Sequence, residues 1–236
     1  MTVELLIFDC DGVLIDSEPV ASAALWQALN DAGVLISRPE VHRRFTGYSE
    51  IDAHRICIEE LGLAEPASVF AGLRNALYPE FARSLSPMTG MPALVRSLSV
   101  PKCVASNSGI ERLQNSLGLL DLWHDFAPHI FSAEMVEAPK PAPDLFLHCA
   151  REFGIDPSRC LVIDDSAHGI IGAVAAGMRA IGFVDPADPR PDRPGVLAEA
   201  GAVTVATGAF ELQKALEGLL PSAVSSQLGP TLAVPA

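Results

Sequence analysis

The chain has 236 residues, a formal net charge of −13, 49% hydrophobic residues and 19% charged residues. This composition is typical of a folded globular protein whose length can bury one large core or two unequal ones. The negative charge argues against a nucleic-acid ligand, because such ligands are bound by basic surfaces. No apolar run is long enough to cross a bilayer, and no basic and apolar leader begins the chain. We therefore expect a soluble, cytoplasmic protein with no membrane contact and no obligate protein partner.

The five cysteines are far apart in the chain and form no pair at metal-binding spacing. They are Cys10, Cys57, Cys103, Cys149 and Cys160. We expect them to be small buried apolar residues in a reducing environment, and we predict no disulfide.

The first predicted element is a short buried strand over residues 5–8, which ends at Asp9-Cys10-Asp11-Gly12. The sequence pattern then becomes typical of helices, and residues 17–87 are predicted to form an all-helical cap inserted into the main domain. Its helices are predicted at 21–32, 49–61 and 66–85, and Pro79 could break the last of them.

Alternating strands and helices return after residue 87. Strands are predicted at 102–105, 129–132, 160–163, 179–184 and 203–206, with helices at 106–117, 143–153 and 164–176 between them. This alternation predicts an α/β fold, with a doubly wound, mostly parallel, Rossmann-like sheet built from residues 1–16 and 88–220. Residues 185–194 are predicted to form a loop, and residues 221–236 a loose tail.

Polar residues follow the predicted strands at the end where open parallel sheets bind ligands. They are Asp9, Asp11, Ser106, Asn107, Lys140, Asp164 and Asp165. Several carboxylates brought together must share a cation, and oxygen ligands favour Mg²⁺. A metal ion and an ammonium group can together neutralise a phosphoryl group during its transfer, so the set predicts phosphoryl-transfer chemistry.

Each of these residues also has a purely structural explanation. The pair Asp164-Asp165 could cap a helix, Ser106 could belong to a turn, and Lys140 could be a solvated charge. Lys140, however, stands between Pro139 and Pro141, which stiffen the backbone on both sides of it. The combination of residues is therefore more specific than any single member.

Four segments, in this order, resemble the motifs of the haloacid dehalogenase superfamily. They are Asp9-Cys10-Asp11-Gly12-Val13-Leu14, Val104-Ala105-Ser106-Asn107, Lys140-Pro141-Ala142-Pro143-Asp144-Leu145-Phe146 and Val162-Ile163-Asp164-Asp165-Ser166. Within that superfamily the chain resembles the β-phosphoglucomutase-like group, which includes sugar-phosphate phosphatases. The segments around Ser106 and Asp164 are most similar to those of the bacterial 6-phosphogluconate phosphatases.

The resemblance implies a Mg²⁺-dependent phosphatase acting on a small phosphorylated metabolite, a sugar or sugar-acid phosphate. It implies that Asp9 is the nucleophile, which becomes an aspartyl-phosphate, and that Asp11 is the general acid and base. Ser106, Asn107 and Lys140 would bind the phosphoryl oxygens, with Cys10 also among the phosphate-binding residues. Mg²⁺ would be held by Asp9, the backbone carbonyl of Asp11, and Asp165, with Asp164 as a ligand or a support.

Departures from the mutase pattern favour hydrolysis over a β-phosphoglucomutase-type reaction. Where those mutases carry a histidine and two cap cations, this chain has Ala21, Thr46 and Glu50. The second acidic residue of the first motif, Asp11, argues against the dehalogenase branch. A phosphate- and metal-binding module of the receiver type is an alternative that is not an enzyme. Its acidic pair, however, follows the first strand, whereas here the adjacent pair comes last.

Several residues outside the motifs are open to either reading. His42, Arg43, Arg44, Tyr48 and His54 could contact a substrate or belong to the solvated surface of the cap. We expect His168 to be structural and Trp26 to pack in the cap core. Residues 16–18 and 85–89 are the expected hinges for cap closure, and a monomer is the default expectation.

Overall fold

A computed structural model of the chain describes residues 2–46, 48–188 and 190–220. Its strands are β1 (Leu5–Phe8), β2 (Lys102–Ser106), β3 (Ile130–Ser132), β4 (Cys160–Asp164), β5 (Arg179–Val184) and β6 (Thr204–Thr207). The cap region holds helices α1 (Glu18–Asp31), α2 (Arg38–Phe45), α3 (Glu50–Glu59) and α4 (Pro66–Ser84). The later helices are α5 (Met91–Ser97), α6 (Ile110–Leu117), α7 (Leu122–Phe126), α8 (Asp144–Phe153), α9 (Ala167–Ala175), α10 (Arg193–Glu199) and α11 (Gly208–Glu217).

The six strands form one parallel sheet in the order β3-β2-β1-β4-β5-β6. Strand β1 lies inside the sheet, and all four of its residues are buried. Leu6 and Phe8 pack into the hydrophobic cluster on one face, whereas Leu5 and Ile7 pack into the cluster on the other. A strand covered on both faces reads as a continuous apolar run, which is why the sequence predicted it. The predicted α/β fold with a doubly wound parallel sheet is confirmed.

Helices α1 to α4 have a hydrophobic cluster of their own, in which Leu29, Val41 and Cys57 are fully buried. Helix α2 was not predicted, because only two of its eight residues are buried and its sequence has no apolar periodicity. Helix α4 runs through Pro79 without a break, with Leu77 and Phe81 buried on either side of the proline. Tertiary packing therefore outweighs the helix-breaking tendency of Pro79.

Two chain segments side by side join this helical region to the sheet domain. Ile15 pairs with Pro87 in antiparallel orientation, and the Asp16 N–H donates to the Ser86 carbonyl at 2.9 Å. These segments adjoin the hinges predicted at 16–18 and 85–89. We keep the boundaries 1–16, 17–87 and 88–220 as our proposal for the division into core and cap.

The structure also corrects the predicted extent of one loop. Helix α10 begins at Arg193, inside the loop predicted at 185–194. Helices α5, α7 and α11 were not predicted either.

The five cysteines are buried, as expected. Within the described ranges no helix is long and apolar enough to span a membrane, and the predicted tail, residues 221–236, lies outside those ranges.

Candidate active site

The loop that follows β1 packs tightly against the end of β4. The Asp9 N–H donates to the Ile163 carbonyl at 2.9 Å, which extends the pairing of the two strands by one residue. Gly12 has a φ of +77°, and a Cβ atom at that position would lie 2.6 Å from Asp165 Oδ2. Only glycine fits this backbone without displacing the Asp165 carboxylate.

Three carboxylates meet where β1 and β4 end. Asp9, Asp164 and Asp165 each offer an oxygen atom, and these atoms lie within 4.8 Å of one another. We call this group the acidic trio. Asp164 is fully buried, and its Oδ1 accepts hydrogen bonds from the backbone N–H and the hydroxyl of Ser166, at 2.9 and 2.7 Å.

Lys140 is a buried cation that forms ion pairs with two members of the acidic trio. Its Nζ lies 2.9 Å from Asp9 Oδ1 and 2.7 Å from Asp164 Oδ2, and its side chain is only 3% exposed. Because the two aspartates come from different strands, Lys140 ties the end of β1 to the end of β4. The interpretation of Lys140 as a solvated charge is therefore wrong.

Asn107 holds the backbone of Lys140 from the neighbouring strand. Its Nδ2 donates to the Lys140 carbonyl at 3.1 Å, and its Oδ1 accepts from the Lys140 N–H at 3.0 Å. Ser106 lies beside it at the end of β2, almost fully buried, with its Oγ accepting from the Ser108 N–H at 3.1 Å. The predicted phosphate-binding residues Ser106, Asn107 and Lys140 thus lie together, and Asn107 has a positioning contact that the sequence did not indicate.

Asp11 faces a different set of partners from the acidic trio. Its Oδ1 accepts from Arg112 Nη2 at 2.7 Å and from the Ser17 hydroxyl, and its Oδ2 accepts from the Ser108 hydroxyl at 2.6 Å. Arg112 comes from helix α6, and sequence reasoning missed it. Its only sequence signal is a basic residue soon after the Ser106-Asn107 segment.

Cys10, between Asp9 and Asp11, has a side chain fully buried in the core rather than exposed to ligand. Its carbonyl accepts the backbone N–H groups of Leu14 and Ile15 at 2.9 and 3.2 Å, which closes the turn after β1. The Cys10 side chain therefore cannot contact a ligand in this structure, and a phosphate contact through its backbone stays a prediction.

A second ion-pair network, also missed, reaches the acidic trio through Asp165. Arg193 donates to the Asp165 backbone carbonyl and lies 3.3 Å from its Oδ2. Arg190 lies 2.6 Å from Asp188 and 3.7 Å from Glu18, the first residue of α1. The network therefore extends from the trio to the start of the cap region.

Burial and mutual repulsion set the ionisation of these groups. Burial raises the pKa of Asp9, and Asp164 and Asp165 raise it further against the opposing effect of Lys140. Burial, Glu18 and Asp164 raise the pKa of Asp165. Lys140 and Arg193 oppose these shifts, but the pKa values of Asp9 and Asp165 stay raised, so the three buried carboxylates are short of positive charge.

The acidic trio meets the requirements of a divalent-cation site. Its donors are carboxylate oxygens, which hard cations such as Mg²⁺ prefer, and they converge from two adjacent strand ends. A cation among them would relieve the repulsion that raises the pKa values of Asp9 and Asp165. The side chain of Asp11 is not part of the trio, so its predicted contribution through the backbone carbonyl is the one compatible with this arrangement.

The pKa of Asp11 is shifted in the opposite direction from the pKa values of Asp9 and Asp165. Burial acts to raise its pKa, but Arg112 and the hydrogen bonds from Ser108 and Ser17 outweigh burial and hold the pKa below its usual value. Asp11 is therefore held as a carboxylate in this conformation.

A cavity of about 680 Å³ opens above the acidic trio, between the sheet domain and helices α1, α3 and α4. Asp9, Asp11, Ser106, Asn107, Lys140 and Asp165 line it from the sheet side. Tyr48 and His54 line it from the cap side, as one reading of the sequence allowed. Arg43 and Arg44 instead pair with acidic residues of the cap, and His42 lines a smaller neighbouring cavity.

The remaining predictions for single aromatic residues agree with the structure. The ring of His168 packs edge-on against Tyr48, with centroids 4.5 Å apart, and its pKa is lowered by burial. Trp26 packs against the cap cluster, and its Nε1 donates to the Ile36 carbonyl at 2.9 Å. Trp26 therefore packs in the cap as expected, and His168 has the kind of packing contact expected of a structural residue.

Comparison with known proteins agrees with this geometry. The sequence profile of the haloacid dehalogenase-like hydrolases matches residues 3–177. A 6-phosphogluconate phosphatase of Escherichia coli is 31% identical over 191 residues, 79% of this chain and 84% of the relative. A fructose-1-phosphate phosphatase of Escherichia coli is also 31% identical, over 75% of this chain and 94% of the relative.

A solved structure shows the same fold over nearly the whole chain. It is a conserved haloacid dehalogenase-like protein of unknown function from Agrobacterium tumefaciens. The two proteins are 38% identical, with a TM-score of 0.77, and the match covers 92% of this chain and 98% of the other. These likenesses leave no support for the receiver-type alternative. The chain therefore belongs to the haloacid dehalogenase-like hydrolases and is a phosphatase, an enzyme that hydrolyses phosphoric monoesters.

Proposed function

We propose that this phosphatase hydrolyses a sugar or sugar-acid phosphate in a Mg²⁺-dependent reaction through an aspartyl-phosphate at Asp9. The observation that carries the proposal is the acidic trio with Lys140 as the buried cation between Asp9 and Asp164, at the floor of the cavity. Such an arrangement suits the transfer of a doubly negative phosphoryl group.

In the first step a carboxylate oxygen of Asp9 attacks phosphorus, and the bond from phosphorus to the ester oxygen breaks. The leaving oxygen takes a proton from Asp11. Lys140, Ser106 and Asn107 bind the phosphoryl oxygens. Because Arg112, Ser108 and Ser17 hold Asp11 as a carboxylate, it must exchange these partners before it can carry that proton.

In the second step a water molecule attacks phosphorus, and the bond from phosphorus to Asp9 breaks. Cleavage of that bond returns Asp9 to its free carboxylate, and Asp11 takes the proton of the water. The partners that keep Asp11 ionised in this structure suit it to this role of general base.

Asp9, Asp165 and the backbone carbonyl of Asp11 would hold Mg²⁺, with Asp164 as a further ligand or as a support. The bound ion would supply positive charge to the phosphoryl group during its transfer. Asp164 already has hydrogen-bond donors on both oxygens, from Ser166 and Lys140, which favours the supporting role.

We favour hydrolysis over a mutase reaction for a reason located in the cavity. Ala21, Thr46 and Glu50, which stand where the mutase pattern has a histidine and two cations, all line it. Arg74 is a cap cation in the cavity, but it is paired with Glu50 at 2.8 and 3.0 Å. A second phosphate would find little support there.

The substrate class rests on the relatives, which act on 6-phosphogluconate and fructose 1-phosphate according to their names. A cavity of about 680 Å³ has room for a molecule of that size. We also propose a cytoplasmic enzyme, because all five cysteines are buried and free, as is usual in a reducing compartment.

The test is phosphate release from p-nitrophenyl phosphate and from a panel of phosphorylated sugars, with the protein first stripped of metal by a chelator. We expect turnover on addition of Mg²⁺ and its loss in Asp9→Asn, while the exposed Asp31→Asn control keeps it. Turnover that survives the chelator or Asp9→Asn would refute the proposal. Formation of glucose 6-phosphate from β-glucose 1-phosphate without free phosphate would instead establish the mutase.

A further inference from the structure

The cavity wall beyond the phosphate-binding end carries two arginines, and each is already paired with a carboxylate. Arg112 Nη2 lies 2.7 Å from Asp11 Oδ1, and Arg74 Nη1 lies 2.8 Å from Glu50 Oε1. Glu50 therefore neutralises Arg74, and Asp11 neutralises Arg112 except when Asp11 carries the proton of the first step. His54, on the same wall, lies 3.6 Å from the same Glu50 oxygen.

Three further carboxylates line the cavity without a cation. They are Glu111 in the first turn of α6, and Glu134 and Glu137 in the segment that follows β3. Among the described residues none of the three has a basic group within 4 Å. Glu134 accepts the backbone N–H of Ile110 at 3.1 Å, so its position is fixed at the start of α6. We call these three residues the unpaired acids.

The charge of this wall is therefore negative once the paired groups cancel, and it stays negative when a protonated Asp11 releases Arg112, because the unpaired acids outnumber that one arginine. An excess of one sign of charge in a cleft acts on a charged ligand inside it, and because the unpaired acids are exposed, salt screens their effect. Carboxylates accept hydrogen bonds from hydroxyl groups, but they repel another carboxylate. The hydroxyls of a neutral polyhydroxylated leaving group can donate to the unpaired acids, whereas an acidic leaving group meets like charge.

We propose that the cavity selects a phosphate ester whose leaving group is uncharged and polyhydroxylated, and that the unpaired acids reject a leaving group bearing a carboxylate. This inference rests on the proposed function and narrows its substrate class to neutral sugar and sugar-alcohol phosphates. The enzyme discriminates against the acidic substrate because its carboxylate is repelled by the unpaired acids, not because that substrate loses a favourable contact.

Two matched pairs of substrates test the inference. Glucitol 6-phosphate and 6-phosphogluconate differ only in a hydroxymethyl group against a carboxylate, as do glycerol 3-phosphate and 3-phosphoglycerate. Each unpaired acid is expected to cost the acidic substrate roughly twofold in kcat/KM at low salt, and the three together on the order of tenfold. The neutral member of each pair should therefore be preferred by about that factor.

The matched variants are two triple substitutions with the same change in net charge. Glu111→Gln, Glu134→Gln and Glu137→Gln together should reduce the preference for the neutral substrate to near unity. The control, Glu152→Gln, Glu199→Gln and Glu217→Gln, changes residues that do not line the cavity and should leave the preference unaltered.

Three outcomes overturn the inference while the proposed phosphatase stands. One is an acidic substrate used as well as its neutral partner, and another is a preference that the cavity triple variant does not change. The third is rejection of all four esters by an enzyme that still hydrolyses p-nitrophenyl phosphate. Absence of Mg²⁺-dependent hydrolysis of every ester would instead refute the proposed function itself.

Discussion

Replacing Lys140 with methionine removes the buried cation between Asp9 and Asp164 while keeping an apolar stem of similar length. The side chain of Lys140 is 3% exposed, and those of Asp9 and Asp164 are 12% and 0% exposed. Solvent therefore cannot replace the lost ion pairs. Breaking a buried pair by removing one partner costs about 3–5 kcal/mol, because the remaining charge is left uncompensated.

We expect Lys140→Met to lower the free energy of unfolding of the metal-free protein by about 3–5 kcal/mol at pH 7.5. Urea denaturation followed by tryptophan fluorescence measures this, since Trp123 packs against the sheet core. Lys214→Met is the control, because Lys214 is exposed and its loss should cost less than about 0.5 kcal/mol. A loss below about 1 kcal/mol in Lys140→Met would refute the claim that its ion pairs with Asp9 and Asp164 stabilise the fold.

Three further predictions concern the surroundings of the acidic trio. Gly12→Ala should weaken Mg²⁺ binding and lower turnover, because the new Cβ atom would clash with the Asp165 carboxylate. The control is Gly33→Ala, because Gly33 also has a positive φ, +87°, but a Cβ atom there would have no neighbour within 4 Å. It should leave turnover unchanged in the same assay. Mg²⁺ should raise the thermal midpoint more at pH 8 than at pH 5, because protons compete for Asp9 and Asp165, whose pKa values are raised by burial; an equal gain at both would contradict this. Burial raises the pKa of Glu18 from 4.5 to about 7, so its ionisation destabilises the fold as pH rises through that range. Between pH 5 and pH 8 the free energy of unfolding of the wild type should therefore fall by as much as about 3 kcal/mol relative to that of Glu18→Gln. Urea denaturation at the two pH values measures this difference.

Strands β1 to β5 could be predicted from the sequence because nearly all of their residues are buried. Strand β5 was predicted with the bounds that the structure has, since Gly177 ends the preceding helical segment and a proline-rich segment begins at Asp185. The cap helices were harder to predict. Helix α2 carries charged residues on most of its surface, and its two buried residues, Val41 and Phe45, do not make a periodic pattern.

The predicted site residues follow strands, and a parallel sheet brings the ends of its strands to one edge. This is why Asp9, Lys140 and Asp164 could be predicted to lie together. Arg112 and Arg193 could not be predicted, because each reaches the site from a helix whose orientation depends on how it packs against the sheet. Site residues that follow strands can thus be predicted from their order along the chain. Their partners on helices can be identified only from the three-dimensional structure.

The central claim is that Asp9 carries the phosphoryl group between the two steps, and a trapping experiment tests it directly. Asp11→Asn lacks both the proposed acid of the first step and the proposed base of the second. With Mg²⁺ and p-nitrophenyl phosphate, whose leaving group needs no proton, it should therefore accumulate the phosphorylated enzyme. Acid quenching followed by peptide mass spectrometry should then find the added mass of one phosphate on the peptide that contains Asp9, and none in Asp9→Asn. Phosphate found on Ser106 or His168, or turnover of Asp11→Asn without any phosphorylated peptide, would contradict the account.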